Sequence, residues 1–203
     1  MIHNVGIIGS GAVGQAVARR AAAANVAAFI SNSRGPASLS DLVPTLGDGV
    51  HAVTVTEAVR AQLVVVAIPF VRVPELASQL ADWTGRVVVD ATNQFAQYQP
   101  TYSGFMDLGA ETGSEWVARQ LPGATVVKAF NAMFASYIDA EPHHSDGRQV
   151  VFYAGDDDAA GADFADLLDR FGFAPVRVGG LRDGGKLMQL GGPLSGLHVI
   201  KQD

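Results

Sequence analysis

Residues 4–36 read NVGIIGSGAVGQAVARRAAAANVAAFISNSRGP, and the order of residue types along them decides the fold. An apolar run from Val5 to Ile8 is followed by glycines at positions 9, 11 and 14, then by an alanine-rich stretch of helical composition. A second apolar run, Ala27 to Ile30, ends on Ser31, Asn32, Ser33 and Arg34. Strand, glycine turn, helix and strand in this order open a parallel, doubly wound sheet.

Each glycine of the turn has its own role in such a unit. Gly9 makes the tight turn, Gly11 lets backbone come close to a pyrophosphate, and Gly14 allows the helix to pack on the strand. The free amides and positive end of the helix then hold the phosphates. Glycine supplies 23 of the 203 residues, so the spacing alone is weak evidence. Its place between a strand and a helix predicts a dinucleotide site. An NAD site carries Asp or Glu about 20 residues further on, against the ribose 2′-hydroxyl. Here no carboxylate occurs until Asp41. Ser33 can hydrogen-bond a 2′-phosphate, and Arg34 can pair with it and stack on adenine. The competing reading is an ordinary solvated arginine in an Arg-Gly-Pro turn. NADP(H) is the expected cofactor.

The same alternation continues along the chain. Further strands are predicted at His51–Val53, Leu63–Ile68, Arg86–Asp90, Val126–Phe130, Val150–Ala154 and Val176–Val178, and helices at Val13–Ala24, Val71–Asp82, Ser114–Gln120 and Ala159–Arg170. The runs LVVVAIP and RVVVDAT are apolar throughout, as strands are when helices cover both sheet faces. The expected fold is therefore an α/β Rossmann type, a mostly parallel sheet of about eight strands with a short C-terminal helical segment. Residues 1–180 are expected to form the cofactor domain, and 181–203 to close the cleft or dimerise. Residues 93–113 show little periodicity and read as a long loop, which in a compact domain is often functional.

Composition removes several classes of function. The chain is 48% hydrophobic and 17% charged, with a formal net charge of -6. Its fourteen basic residues are scattered, so neither nucleic acid nor a membrane surface is an expected partner. There is no cysteine, which excludes disulfides, thiolate metal sites and a cysteine nucleophile. The opening MIHNVGIIG has no basic segment or cleavage pattern, and the cytoplasm is the expected location. The polar loop EPHHSDG holds His143 and His144, but adjacent histidines point apart and no third ligand is evident, so no metal is expected. Asp156–Asp158 reads as a helix cap.

The strand ends mark the remaining candidate residues, because ligands of open α/β sheets bind at the carboxyl edge. Ile68 and Pro69 end the fourth strand, with Pro69 where the chain passes a nicotinamide ribose. Thr92 and Asn93 end the fifth. Asn93 can orient a carboxamide or ribose, while strand-end turn chemistry explains either residue equally well.

With those motifs in place, GIIGSGAVG, SNSRGP, VVVAIPF, VVDATN and above all GSEWVARQLPGATVVKAFN (residues 113–131) resemble the NADPH-dependent deazaflavin (coenzyme F420) reductases. The resemblance runs from residue 4 to about 190. It implies that Gly9, Ser10, Gly11, Ala12 and Val13 hold the pyrophosphate and that Ser33 and Arg34, beside Ser31 and Asn32, hold the 2′-phosphate. It places Ile68, Pro69, Thr92 and Asn93 at the nicotinamide end, and Asn131 and Ala132 at the border of the hydride-transfer site. The chain departs from the family pattern at FNAMFA and in its glycine-rich tail, both in the second-substrate region.

Hydride transfer between stacked rings needs proximity and orientation without an obligatory side-chain acid or base. None of the three lysines, Lys128, Lys186 and Lys201, follows a tyrosine at carbonyl-reductase spacing. The expected activity is hydride transfer between NADP(H) and a small-molecule acceptor: coenzyme F420 or another deazaflavin, FMN or FAD. A flavin or ferric reductase is the enzyme alternative, and a noncatalytic NADP(H) redox sensor the alternative of another class. Apolar residues in LMQLGGPLSGLHVI predict burial against a second subunit, hence a homodimer.

Overall fold

The computed structural model describes residues 1–80 and 82–202. The strands are β1 (Asn4–Ile8), β2 (Ala27–Ser31), β3 (Val50–Ala52), β4 (Leu63–Val66), β5 (Val87–Asp90), β6 (Phe95–Gln97), β7 (Ser103–Phe105), β8 (Thr125–Ala129), β9 (His143–His144), β10 (Gly147–Gly155), β11 (Ala174–Arg177) and β12 (Ile200–Lys201). The helices are α1 (Ala12–Ala23), α2 (Val55–Ala58), α3 (Val73–Gln79), α4 (Gly113–Gln120), α5 (Ala135–Asp139), α6 (Asp158–Arg170) and α7 (Asp183–Met188).

The main sheet runs β11-β10-β8-β5-β4-β1-β2-β3, with β9 and β12 also paired to β10. From β3 to β8 every pairing is parallel. Sequence order reverses between β1 and β4, and the two neighbours diverge there to opposite sides of the sheet, which opens a crevice at their carboxyl ends. β10 runs against β8, and β11 follows β10 in parallel, so these two strands reverse the sense of the sheet. The chain from Asn131 to Gly147 carries only the short α5 and β9, and the strand returns in the opposite sense.

Helices cover both faces. One layer buries Val17 and Ala21 of α1, Ile138 of α5 and Phe164 and Leu167 of α6 against Val5, Ile7 and Val151. The other buries Ala58, Val73, Leu76, Val117 and Leu121 against Val64, Val66 and Val88. These strand residues are buried on both sides, which explains their unbroken apolar runs.

All eight expected strands and all four expected helices form, with shifted ends. The expected helix Val71–Asp82 begins as a tight 3-10 turn, Phe70–Arg72, and turns α-helical only at Val73 with Pro74 in its first turn. Leu80 is already extended, and Ala81 lies outside the described residues. Asp157 caps α6, its Oδ1 accepting from the Ala160 amide at 2.8 Å. The expected loop 93–113 differs from its reading: β6 and β7 form an antiparallel hairpin within it. Asp203, the last residue of the expected tail segment, lies outside the described residues.

Candidate functional site

The phosphate turn separates two kinds of glycine. A Cβ on Gly14 would stand 1.9 Å from the Gly9 carbonyl oxygen, and one on Gly9 would stand 2.2 Å from that of Ala67. Gly9 also has a φ of +116°, which disfavours any side chain. Both are glycines because the protein itself occupies the space. A Cβ on Gly11 would meet nothing within 4 Å, although Gly11 sits at the mouth of α1 and is exposed. What Gly11 keeps clear is room outside the protein, against the unpaired amides of the helix start.

Two adjoining cavities run along this edge. The larger, about 340 Å³, lies between the phosphate turn and the end of β2, and Ser10, Asn32, Ser33, Arg34 and Pro69 are among its lining residues. The smaller, about 280 Å³, is bounded by Gly11, Ala12, Val13, Ile68, Pro69, Thr92 and Asn93. Each is close to the size of a small-ligand pocket. Together they bring twelve of the predicted contacts onto one continuous groove: Gly9, Ser10, Gly11, Ala12, Val13, Asn32, Ser33, Arg34, Ile68, Pro69, Thr92 and Asn93.

At the far end of the larger cavity Ser33 and Arg34 are exposed, and the Arg34 guanidinium makes no hydrogen bond or ion pair among the described residues. Asn32 organises this corner. Its Nδ2 donates to Ser10 Oγ at 3.3 Å and Ser38 Oγ at 3.0 Å, and its Oδ1 accepts from the Arg34 amide at 2.9 Å. Ser31 departs from expectation. It is fully buried, its hydroxyl donates to the Ile7 carbonyl at 3.1 Å, and its own carbonyl accepts from the Gly9 amide at 2.9 Å. Ser31 therefore locks β2 to the phosphate turn and does not face the cleft.

The opposite end rests on a buried ion pair that the sequence analysis did not single out. Asp90 and Lys128 are register partners on β5 and β8, with Lys128 Nζ 2.9 Å from Asp90 Oδ2 and side-chain exposures of 4% and 0% for Lys128 and Asp90. Burial pulls the Lys128 ammonium below the ordinary lysine range, and the charge and hydrogen bond of Asp90 oppose that pull. The remaining bonds of the pair go to the turn after β5. Asp90 Oδ1 accepts from Thr92 N at 2.9 Å and Thr92 Oγ1 at 2.6 Å, while Lys128 also donates to the Thr92 carbonyl. Thr92 thus reaches the cavity wall with its hydroxyl already engaged. In the sequence each of two otherwise apolar strands carries one charge, of opposite sign, in VVVD and VVKA, but only the β5–β8 pairing makes the two partners.

Asn93 and Asn131 interlock just beyond. Asn93 Nδ2 donates to the Asn131 carbonyl at 3.0 Å, and Asn131 Nδ2 donates to Asn93 Oδ1 at 3.2 Å and to the Met188 carbonyl of α7 at 2.8 Å. Asn131 and Ala132 are buried and line neither cavity, contrary to the expectation that they border the reacting atoms. They act from behind, joining Asn93 to the tail, where Gly196 N donates to the Ala132 carbonyl at 2.7 Å. Further lining residues went unassigned in the sequence: Arg72 and Tyr98, Gln99 and Tyr102 of the hairpin. Phe134, just beyond Asn131 and Ala132, is 61% exposed and lines neither cavity. His143 pairs with Glu141 at 3.0 Å, and no group of three or more His, Asp or Glu side chains among the described residues could hold a metal.

Residues 4–94 match the family model described as NADP oxidoreductase, coenzyme F420-dependent. Over its whole length the chain is also 39% identical to protein SMa0349 of Sinorhizobium meliloti, covering 97% of that chain with a TM-score of 0.91. The chain belongs to the coenzyme F420-dependent NADP oxidoreductase family. It is thus a member of a family of NADP-dependent oxidoreductases. A curated relative, metalloreductase STEAP3 of Rattus norvegicus, is 29% identical over 178 residues; these cover 87% of this chain, which spans only 34% of that relative. A candidate F420-dependent NADP reductase from Arthrobacter sp. FB24 has the same fold, with 24% identity, 89% and 86% of the two chains covered, and a TM-score of 0.72. No helix among the described residues of this oxidoreductase is long and apolar enough to cross a membrane.

Two outcomes follow for the site. Gly14→Ala should lower the free energy of urea unfolding by about 1–3 kcal/mol through overpacking, whereas Gly11→Ala should unfold like the native protein and lose affinity in an NADPH titration. Lys128→Met strands a buried carboxylate and should cost about 3–5 kcal/mol. The double variant Asp90→Leu/Lys128→Met should recover much of that stability in urea yet transfer hydride slowly in single turnovers, because the side-chain bonds that fix Thr92 are then gone and the Asn93 side chain is held by Asn131 alone.

Proposed function

We propose that this chain is an NADPH-dependent oxidoreductase that passes hydride between NADP(H) and a planar flavin-like acceptor, a deazaflavin first, with FMN or FAD as alternatives. The observation that carries the reading is one groove with Ser33 and the unpaired Arg34 at one end, where the lining carboxylate of Glu75 is already paired with Arg72, and an end at Ile68–Asn93 lined by neutral side chains. The space beside Gly11 fits a pyrophosphate on the start of α1. Ser33 and Arg34 would take the 2′-phosphate, Ser10 to Val13 the pyrophosphate, and Ile68, Pro69, Thr92 and Asn93 the nicotinamide riboside. When bound, the reduced nicotinamide supplies the hydride. The chain's own work is to orient that ring: Pro69 and Ile68 form one wall, and the Asp90–Lys128 pair holds the turn that presents Asn93.

No carboxylate, imidazole, amine or guanidinium lines the smaller cavity, whose one ionisable side chain is the Tyr102 phenol, and this suits transfer to a ring that itself takes up the charge. Residues 1–180 would hold the cofactor, and 181–203 would close the nicotinamide end through the Met188 and Gly196 contacts and supply a homodimer contact. The similarity to the metalloreductase favours a second reading, reduction of ferric chelates. Hydride carries two electrons and a ferric ion accepts one, so that reading needs a flavin between them.

Arg34→Ala should remove most of the preference for NADPH over NADH in direct titrations, and equal affinities for both cofactors in the native protein would contradict the 2′-phosphate assignment. Stopped-flow oxidation of NADPH against deazaflavin, FMN, FAD and ferric chelates should show turnover fastest with one of the rings. No turnover with any of them would favour a redox-sensing role.

A further inference from the structure

The hairpin in residues 93–113 folds back over the groove. Phe95 pairs with Phe105 and Gln97 with Ser103. Its base is tied to the nicotinamide edge, Phe95 N donating to the Asn93 carbonyl at 2.7 Å and Met106 N to the Gln94 carbonyl at 2.9 Å. From that base the tip crosses toward the other end. Phe95 lines only the smaller cavity, Tyr98 and Gln99 only the larger, and Tyr102 borders both.

The other residues common to the two cavities are Gly11, Ala67, Ile68 and Pro69. The waist of the groove is therefore bounded by the phosphate turn, the end of β4 and the ring of Tyr102. That ring is held against Phe95, with centroids 5.2 Å apart, and Phe95 in turn stacks on Phe105 at 6.1 Å. Tyr102 is nonetheless 58% exposed, a large aromatic surface fixed beside a groove and left in water. The segment from Asn93 to Phe105 contains no charged residue, so it can bring cover to a bound ligand but not charge.

We propose that Tyr102 is a cofactor-binding residue, packing its ring on the middle of the dinucleotide so that the hairpin closes the waist of the groove. The proposal rests on the NADP(H) reading of the cleft. Cover at this point excludes water from the pyrophosphate and strengthens its hydrogen bonds to the α1 amides. Arg34 discriminates between cofactors by charge at one end. Tyr102 acts on the part that NADPH and NADH share, and raises affinity for both alike.

The test is a titration of native protein, Tyr102→Ala and Tyr102→Phe with NADPH and with NADH, followed by the fluorescence of the reduced nicotinamide. Tyr102→Ala should weaken both by about fivefold or more, as loss of one aromatic packing contact does, with the NADPH-to-NADH ratio unchanged and Tyr102→Phe close to native. Saturating NADPH should also slow chymotrypsin cleavage within residues 98–105 of the native chain. Native affinity for both cofactors in Tyr102→Ala, selective loss of NADPH alone, or cleavage indifferent to NADPH would each overturn the proposal. A native protein that takes up no NADPH would overturn the cofactor reading with it, whereas normal native binding beside an unaffected Tyr102→Ala would overturn the role of Tyr102 alone.

Discussion

A carboxylate and an ammonium buried inside the sheet, Asp90 and Lys128, set where the carboxyl edge can place its residues. Moving each ion out of water costs several kcal/mol, and their attraction repays this only when the other lone pairs and protons are also engaged. Here the Thr92 amide, hydroxyl and carbonyl meet that demand. The pair therefore stays buried only while the turn after β5 keeps one conformation. Asn93 follows directly from that turn, Asn131 locks onto Asn93, and Met188 of α7 locks onto Asn131. One buried charge pair thus fixes a chain of contacts from the centre of the sheet to the C-terminal segment.

The parallel strands explain why the two charges meet. β5 and β8 are neighbours although α4 and the hairpin separate them in sequence, and their register sets Asp90 opposite Lys128. In the sequence they lie 38 residues apart. A lone aspartate at the end of an apolar strand reads as turn chemistry, and a lone lysine reads as solvated. Only the strand order makes them partners.

The fold was legible for the same reason that the ion pair was not. Strand and helix periodicity are local, and VGIIGSGAVG or LVVVAIP carry them within ten residues. The phosphate turn and the Ser33–Arg34 corner were legible because both lie within one strand–turn–helix–strand unit. Ser31 was misjudged because sequence cannot tell a strand-end hydroxyl that faces a cleft from one facing the preceding strand. The hairpin was missed because Phe95, Tyr98, Tyr102 and Phe105 lack a strand period that extends beyond three residues on either side of the turn. Asn131 and Ala132 were placed one layer too near the reacting atoms, since a residue that follows a strand end can sit at the cleft or behind it.

Glycines and an ion pair together make a groove whose two ends do different work. The phosphate turn and Ser33–Arg34 offer amides and one unpaired cation, and the β4 and β5 ends offer a neutral wall held rigid from beneath. A dinucleotide with a 2′-phosphate satisfies both ends at once, and this match is the central claim. Phosphorus NMR of the bound cofactor tests it most directly. A free phosphate monoester takes its second charge near pH 6, at about the ordinary value. Held by Ser33 and Arg34, the 2′-phosphate of bound NADP⁺ should keep its dianion resonance well below that pH, while the pyrophosphate signals shift on binding. A 2′-phosphate that titrates as it does in free NADP⁺ would contradict the account.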